Sequence, residues 1–163
     1  MPYTPFHLGP ALFIGLLLFP VLDLPTFIIA NVIVDIEPFL VIFFQLDYPL
    51  HGYFHSYLGG TIIAVILAVV MFHIKDYMQV VMNVFKLYQK SSFKQILFTS
   101  LLGVYLHISL DSPLYSDIKP FWPLDVNPLY GAVSGFEIYG ICSICFLIAF
   151  ILYVYRLIKM RMT

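Results

Sequence analysis

Residues 24–46 read LPTFIIANVIVDIEPFLVIFFQL. The stretch is apolar and long enough to cross a bilayer core, which takes about 20 such residues. Yet it carries Asn31, Asp35 and Glu37, followed at once by Pro38. A proline inside a helix removes a backbone donor and clashes with the carbonyl one turn back, so an unbroken helix is excluded. The stretch predicts a membrane helix broken near Pro38, with two carboxylates carried into apolar surroundings at the break.

The rest of the chain agrees with that solvent. Of its 163 residues 61% are hydrophobic, 18% aromatic and only 10% charged, and the mean hydropathy is +0.95. An average soluble chain is about 25% charged, so this one cannot cover a water-facing surface with polar groups. Disorder is excluded by the abundance of apolar and aromatic residues. Two cysteines exclude a disulfide-rich module, and a net charge of −1 gives no case for nucleic acid as a partner. Further apolar stretches at Phe6–Leu22, Tyr57–Phe72, Ile96–Leu110 and Phe136–Leu157 complete five helical elements. The expected fold is all-α, a single transmembrane helical bundle over residues 1–163. Met1–His7 lacks Lys and Arg and does not read as a signal peptide.

Charge placement suggests an orientation. Lys75, Lys86, Lys90 and Lys94 lie between the third and fourth stretches, and Arg156, Lys159 and Arg161 lie in the tail. Ser112–Gly135 has Lys119 as its sole basic residue, against Asp117 and Asp125. Positive residues favour the cytoplasmic side, which puts the Lys-rich loop and C-terminus inside a cytoplasmic (inner) membrane. Ser112–Gly135 and the N-terminus are then outside, an odd number of crossings away. Tyr77–Tyr88 has an amphipathic look that fits either an interfacial helix or a solvated connector.

Ionisable groups are costly inside a bilayer and so are functional candidates by default. Here they are His7, Asp35, Glu37, His51, His55, His107 and Asp111. On this topology separate segments deliver them toward the outer face. His107 and Asp111 stand at i,i+4 and share a helix face, as do His51 and His55 if Gly52 permits a helix there. Imidazole together with carboxylate suits zinc or another divalent first-row metal. The alternative readings are a proton or metal-ion pathway in a small transporter or accessory subunit, and buried hydrogen bonds in a non-catalytic structural protein.

These residues also carry a family resemblance. Phe6-His7-Leu8, Val34-Asp35-Ile36-Glu37-Pro38, His51-Gly52-Tyr53-Phe54-His55-Ser56, the Gly103-to-Asp111 helix and Trp122-Pro123 follow one another in a known order. Over residues 6–123 the chain resembles small membrane-bound metal-dependent hydrolases, the LexA-binding, inner-membrane-associated hydrolases. Two departures stand out: Glu37 replaces a family Asp, and the His-Arg-Gly element has lost its Arg and one residue, so His55 carries over cleanly and His51 does not. More distantly, the pattern is similar to zinc-dependent phospholipases C and related nucleases.

The resemblance implies phosphoester hydrolysis of a lipid or lipid-linked substrate, with one or two zinc ions. On that basis His55, His107 and Asp111 are expected as ligands and Asp35 as ligand or bridge. Glu37 is expected as general base or second carboxylate ligand, and His7 and His51 as completing a second site. Cys142 and Cys145 read as small packing residues. Gly131 and Gly135 read as a turn, and His73 as interfacial. Tyr48, Tyr53, Tyr115, Trp122 and Tyr130 fall where an aromatic belt belongs. Asp125 and Asn127 fit either a headgroup contact or a solvated turn.

Overall fold

A computed structural model describes residues 4–162. Among them it contains helices and turns and no strand. A short 3-10 turn, Thr4–His7, leads into α1 (Leu8–Leu17). Then come α2 (Leu24–Ala30), a 3-10 turn over Ile33–Asp35, and α3 (Ile36–Phe44). A third 3-10 turn, Tyr53–His55, opens α4 (Tyr57–Val84), which is followed by α5 (Phe93–Asp111) and α6 (Gly135–Met162). Four segments are long and apolar enough to cross a membrane: Leu24–Phe44, Tyr57–Val84, Phe93–Asp111 and Gly135–Met162. The protein is thus an all-helical, multi-pass bundle.

The interruption in Leu24–Phe44 lies just ahead of Pro38. Pro38 itself sits in the first turn of α3, where a helix has no use for its missing N–H. In a continuous helix its ring would crowd the carbonyl of Val34, and the irregular backbone falls at residues 31–35. Two other expectations change. The first apolar stretch is helical only to Leu17, because the Phe19–Pro20 segment ends it. The chain nonetheless passes from one end of the bundle to the other there, since the Pro20 carbonyl accepts from Gln95 in the first turn of α5 at 2.7 Å. Nor is Tyr77–Tyr88 a separate interfacial helix: α4 runs through it unbroken to Val84.

The core lies where α2, α4 and α5 meet. Ala30 and Val34, from α2 and the turn after it, pack with Ala64, Leu67, Ala68 and Met71 of α4 and Ile96, Val104 and Ile108 of α5. Small residues let these helices approach closely, and polar side chains bridge them, as is usual when lipid supplies no hydrophobic drive between helices. Ser100 Oγ donates to the Ala64 carbonyl at 2.7 Å, and the Thr61 and Tyr105 hydroxyls stand 2.6 Å apart. Gly103 is the closest contact with α2: a Cβ there would meet Ala30 Cβ at 2.5 Å and Asn31 Nδ2 at 3.1 Å. On the other flank α1 packs on α6, with Cys142 buried in that interface and its carbonyl facing Gly9. Most of α6 presents Phe136, Ile141, Ile144, Leu147 and Phe150 outward, as a lipid-facing helix does.

The two ends of the bundle differ. At one end α4 and α6 begin and α5 stops. At the other lie Lys86, Lys90 and Lys94 and the basic residues Arg156, Lys159 and Arg161 of α6. At this basic end Asp23 caps α2: its Oδ1 accepts from Thr26 N at 3.1 Å, and its Oδ2 from Ser91 Oγ at 2.6 Å. Gln89 continues the latch, accepting from Leu24 N at 3.0 Å and donating to the Leu22 carbonyl at 2.8 Å.

The close approach at Gly103 makes a measurable prediction. Gly103→Leu should force α2 away from α5 and cost about 1–3 kcal/mol by overpacking, read as a lower melting temperature in detergent. Gly140→Leu, where a Cβ meets nothing within 4 Å, should leave melting unchanged.

Candidate metal centre

His7, Asp35, His55, His107 and Asp111 all converge at the end opposite the lysines. Each sits at a helix terminus, where the backbone changes direction. His7 closes the first 3-10 turn, Asp35 closes the second, and His55 closes the third. His107 and Asp111 occupy the last turns of α5. The break after Ala30 thus brings Asp35 level with the ends of α4 and α5.

Asp35, His55, His107 and Asp111 are all buried, and one ligand atom from each lies within 4.8 Å of the others. His107 Nε2 is 3.4 Å from Asp35 Oδ1 and 3.4 Å from Asp111 Oδ2, and His55 Nε2 is 3.8 Å from Asp35 Oδ1. Zinc binds nitrogen and oxygen at about 2.0–2.2 Å, so two ligands on one tetrahedral ion stand about 3.3–3.6 Å apart. These separations are long for hydrogen bonds to a charged group. The two 3.4 Å separations at His107 have the length of edges of a coordination tetrahedron.

Each histidine is held by its other nitrogen. His107 Nδ1 lies 2.8 Å from the Asn31 carbonyl, which can only accept. The proton is therefore on Nδ1, and the Nε2 lone pair faces the cluster. His55 Nδ1 lies 2.9 Å from Glu37 Oε2. That same oxygen accepts from Gly52 N at 3.0 Å, and Oε1 accepts from Phe54 N at 3.2 Å and Tyr48 Oη at 3.4 Å. With these donors around it the carboxylate acts as acceptor toward His55 as well, so His55 also carries its proton on Nδ1 and turns Nε2 inward. Partners of this kind orient metal-binding histidines. Nε2 of His55 and of His107, and both oxygens of Asp111, have no hydrogen-bond partner.

The remaining candidates stand around this group. Glu37 is expected as base or ligand; the structure makes it the anchor of residues 48–55 instead, because its acceptor positions are already taken. His51 lies outside the four-residue group. Its Nδ1 is 2.9 Å from Asp117 Oδ2, its ring edge meets His55 at a centroid distance of 4.8 Å, and its buried Nε2 is unpartnered. Burial holds the His51 pKa below the usual histidine value, with His55 acting in the same direction and Asp117 opposing. His7 stacks on His107 at 4.1 Å and places Nε2 3.2 Å from Asp111 Oδ1.

Beside His51 a cavity of about 180 Å³ is lined by Tyr48, Gly52, Tyr53, Asp117, Lys119 and Trp122, among others. Trp122 also lines an open apolar groove with Tyr57, Leu58, Thr61, Tyr105, Phe121 and Leu124. Several residues expected in an aromatic belt are therefore wired into the site: Tyr48 to Glu37, Tyr115 against His51 and Tyr53 against Trp122. Asn127 clasps the Ser112 and Tyr115 carbonyls, and Asp125 pairs with Lys119 at 2.8 Å. His73, by contrast, bonds only within its own helix, to the Val69 carbonyl.

Asn31 and Asp117 are positioning residues that the residue pattern did not flag. Asn31 acts through its carbonyl, for which a side chain gives no signal. Asp117 reads as an ordinary loop charge until folding brings it to His51. No family model matches the chain, and neither a curated protein nor a solved structure matches it.

The anchoring role of Glu37 can be tested without any ligand. Glu37→Leu strands the backbone N–H groups of Gly52 and Phe54 and the ring Nδ1–H of His55, and each unmet buried donor costs about 1–3 kcal/mol. The variant should melt well below wild type in the metal-free state, whereas a carboxylate serving only as a base would leave that melting unchanged.

Proposed function

We propose that the protein is a membrane-embedded metal-dependent hydrolase acting on a phosphoester of a lipid or lipid-linked substrate. The observation that carries this is the buried group Asp35, His55, His107 and Asp111, with the inward nitrogens of its histidines unpartnered and their outward nitrogens pinned. A structural hydrogen-bond network would use those atoms on one another. A divalent cation, zinc by its ligand chemistry, is what such a set is suited to hold.

Asp35, His55, His107 and Asp111 would hold a zinc ion, which would supply a water of lowered pKa and a Lewis acid for the phosphoryl oxygen. The residues do the rest. Asn31 and Glu37 keep His107 and His55 aimed, while Asp35 and Asp111 provide the negative charge that balances a cation. His51 is a better proton acceptor than Glu37. Asp117 holds its Nδ1–H, burial favours its neutral form, and Nε2 retains a lone pair next to the cavity. The cavity brings Lys119 near for an anionic head. The adjoining groove, sharing Trp122, offers an apolar wall for a chain, which favours an amphiphilic substrate over a soluble one.

The opposition of the basic end and the histidine end supports an orientation with the lysines in the cytoplasm and the site at the outer leaflet of the cytoplasmic membrane. Val126→Cys, half-exposed near the site, should then react with a membrane-impermeant maleimide on intact cells, in a background with Cys142 and Cys145 replaced by Ala. Lys94→Cys should react only after permeabilisation; the reverse pattern overturns the orientation.

For activity, detergent-purified protein should carry zinc and hydrolyse a fluorescent phosphatidic acid or phosphodiester lipid probe. His107→Ala should remove bound metal and lower turnover by at least about 100-fold, the scale on which water activation contributes. A chelator should abolish activity and added zinc restore it. Full hydrolysis by a metal-free His107→Ala protein would sink the proposal.

A further inference from the structure

α1 ends at Leu17, whereas α6 runs on to Met162. The last turns of α6 therefore lose their partner helix, and two adjoining openings remain at the basic end. The first is a cavity of about 410 Å³, bounded by Leu12, Leu16 and Ile28 of α1 and α2 and by Phe146, Phe150 and Tyr153 of α6, among others. Its lining side chains are apolar apart from the Tyr153 hydroxyl, which donates to the Phe85 carbonyl at 3.1 Å. The second opening, of about 220 Å³, shares Leu16 with the first and is lined beyond it by Leu17, Leu152, Tyr155, Arg156 and Lys159. It presents two cations and no acid.

Depth matches these contents. With Gly135 at the opposite boundary and 1.5 Å per residue, Phe146 to Tyr153 lie about 16–27 Å along α6 and Arg156 about 32 Å, against a hydrocarbon core of about 30 Å. The apolar cavity thus falls in the half of the bilayer nearer the basic end, and Arg156 falls at the level of that leaflet's headgroups. The Arg156 guanidinium lies 3.7 Å from the centre of the Phe19 ring, a stacking that uses one face of the plane and none of its N–H groups. Arg156 Nε is buried without a hydrogen-bond partner. Among the described residues no carboxylate pairs with this side chain. A phosphate oxygen is an acceptor that the guanidinium fork fits.

We propose that the basic end binds one anionic phospholipid of the adjoining leaflet, its phosphate on Arg156 and Lys159 and one acyl chain in the cavity between α1, α2 and α6. Charge and polarity select this occupant. A zwitterionic lipid brings a cation of its own to a site that already holds two. A soluble anion leaves the apolar lining without atoms to contact. The site lies at the opposite end of the bundle from the metal centre, so this lipid is a held ligand and not a substrate. The proposal stands whether or not the protein is a hydrolase.

The test is lipid retention by detergent-purified protein, read by native mass spectrometry with phosphatidylglycerol, phosphatidylcholine and soluble glycerol phosphate as probes. Phosphatidylglycerol should be held at one per chain, at least about tenfold more tightly than phosphatidylcholine, the scale set by two cations near an anionic head. Glycerol phosphate should not displace it. Arg156→Gln should abolish the preference. Lys94→Gln, at the same end but outside both openings, and Lys119→Gln, at the opposite end, should keep it. For the chain, the fluorescence of Phe150→Trp in a Trp122→Phe background should be quenched by phosphatidylglycerol with brominated acyl chains, and less by the brominated phosphatidylcholine. Equal retention of the two lipids overturns the proposal. So does an equal loss of preference in Arg156→Gln and Lys94→Gln, the mark of diffuse attraction to a basic surface, or a loss confined to Lys119→Gln. Displacement by glycerol phosphate, or equal quenching by the two brominated lipids, also overturns it. If Arg156→Gln does not fold, the quenching comparison decides alone.

Discussion

The hydrogen bond from His107 Nδ1 to the carbonyl of Asn31 holds the arrangement together. In a continuous helix that carbonyl would receive the N–H of residue 35. Here Asp35 N donates to Val32 instead, at 3.2 Å, and the Asn31 oxygen is released inside an apolar bundle. An unmet backbone group in such surroundings costs several kcal/mol, which is why irregular backbone at this depth survives only where protein satisfies it. The broken helix needs a donor from α5, and His107 needs an acceptor that fixes its tautomer. Each solves the other's problem, and Gly103 lets the two helices come close enough for the bond to form.

The same economy recurs at the third 3-10 turn. Residues 45–52 carry little regular structure, and the loop backbone must place its N–H groups somewhere. Glu37 collects those of Gly52 and Phe54 and uses the same carboxylate to steer His55. Ser56 then caps α4 by accepting from Gly59 N at 2.9 Å. Breaks that are costly in lipid are thereby placed at one level. Helix ends project side chains from α1, α3, α4 and α5 into a common volume.

The apolar stretches and their interruption were legible in the sequence, because length, hydropathy and a proline next to two carboxylates act locally. So was the meeting of His55, His107, Asp111 and Asp35, since spacing along α5 and topology converge on it. Less legible was anything that depends on where a backbone atom ends up. Pro38 marks the broken region without marking the break, because proline is tolerated in a first helical turn. Glu37 looks like a catalytic carboxylate until the loop it gathers is visible. The run from Tyr77 to Tyr88 mixes polar and apolar residues, yet α4 simply carries its lipid-span pattern onward past the basic side. The Asp23 latch lies at a stretch boundary, and its partners Ser91 and Gln89 come from a loop far along the chain.

That latch makes the strongest internal comparison for the histidine end. Both ends of the bundle bury polar side chains, and folding alone could call for either. At the basic end Asp23 receives donors on both oxygens. Gln89 engages its amide nitrogen, its amide oxygen and its backbone N–H, and Gln79 Nε2 is left over. This is how a buried network looks when stability is its purpose. At the other end two rings are fixed from behind by Asn31 and Glu37, while the nitrogens they aim inward and both oxygens of Asp111 stay unmatched. The same chain, in the same apolar surroundings, satisfies all but one group of one network and leaves the other open toward its centre. Fixing the backs of the rings while leaving their faces unused costs stability without adding packing, and that contrast is what supports the proposed cation site.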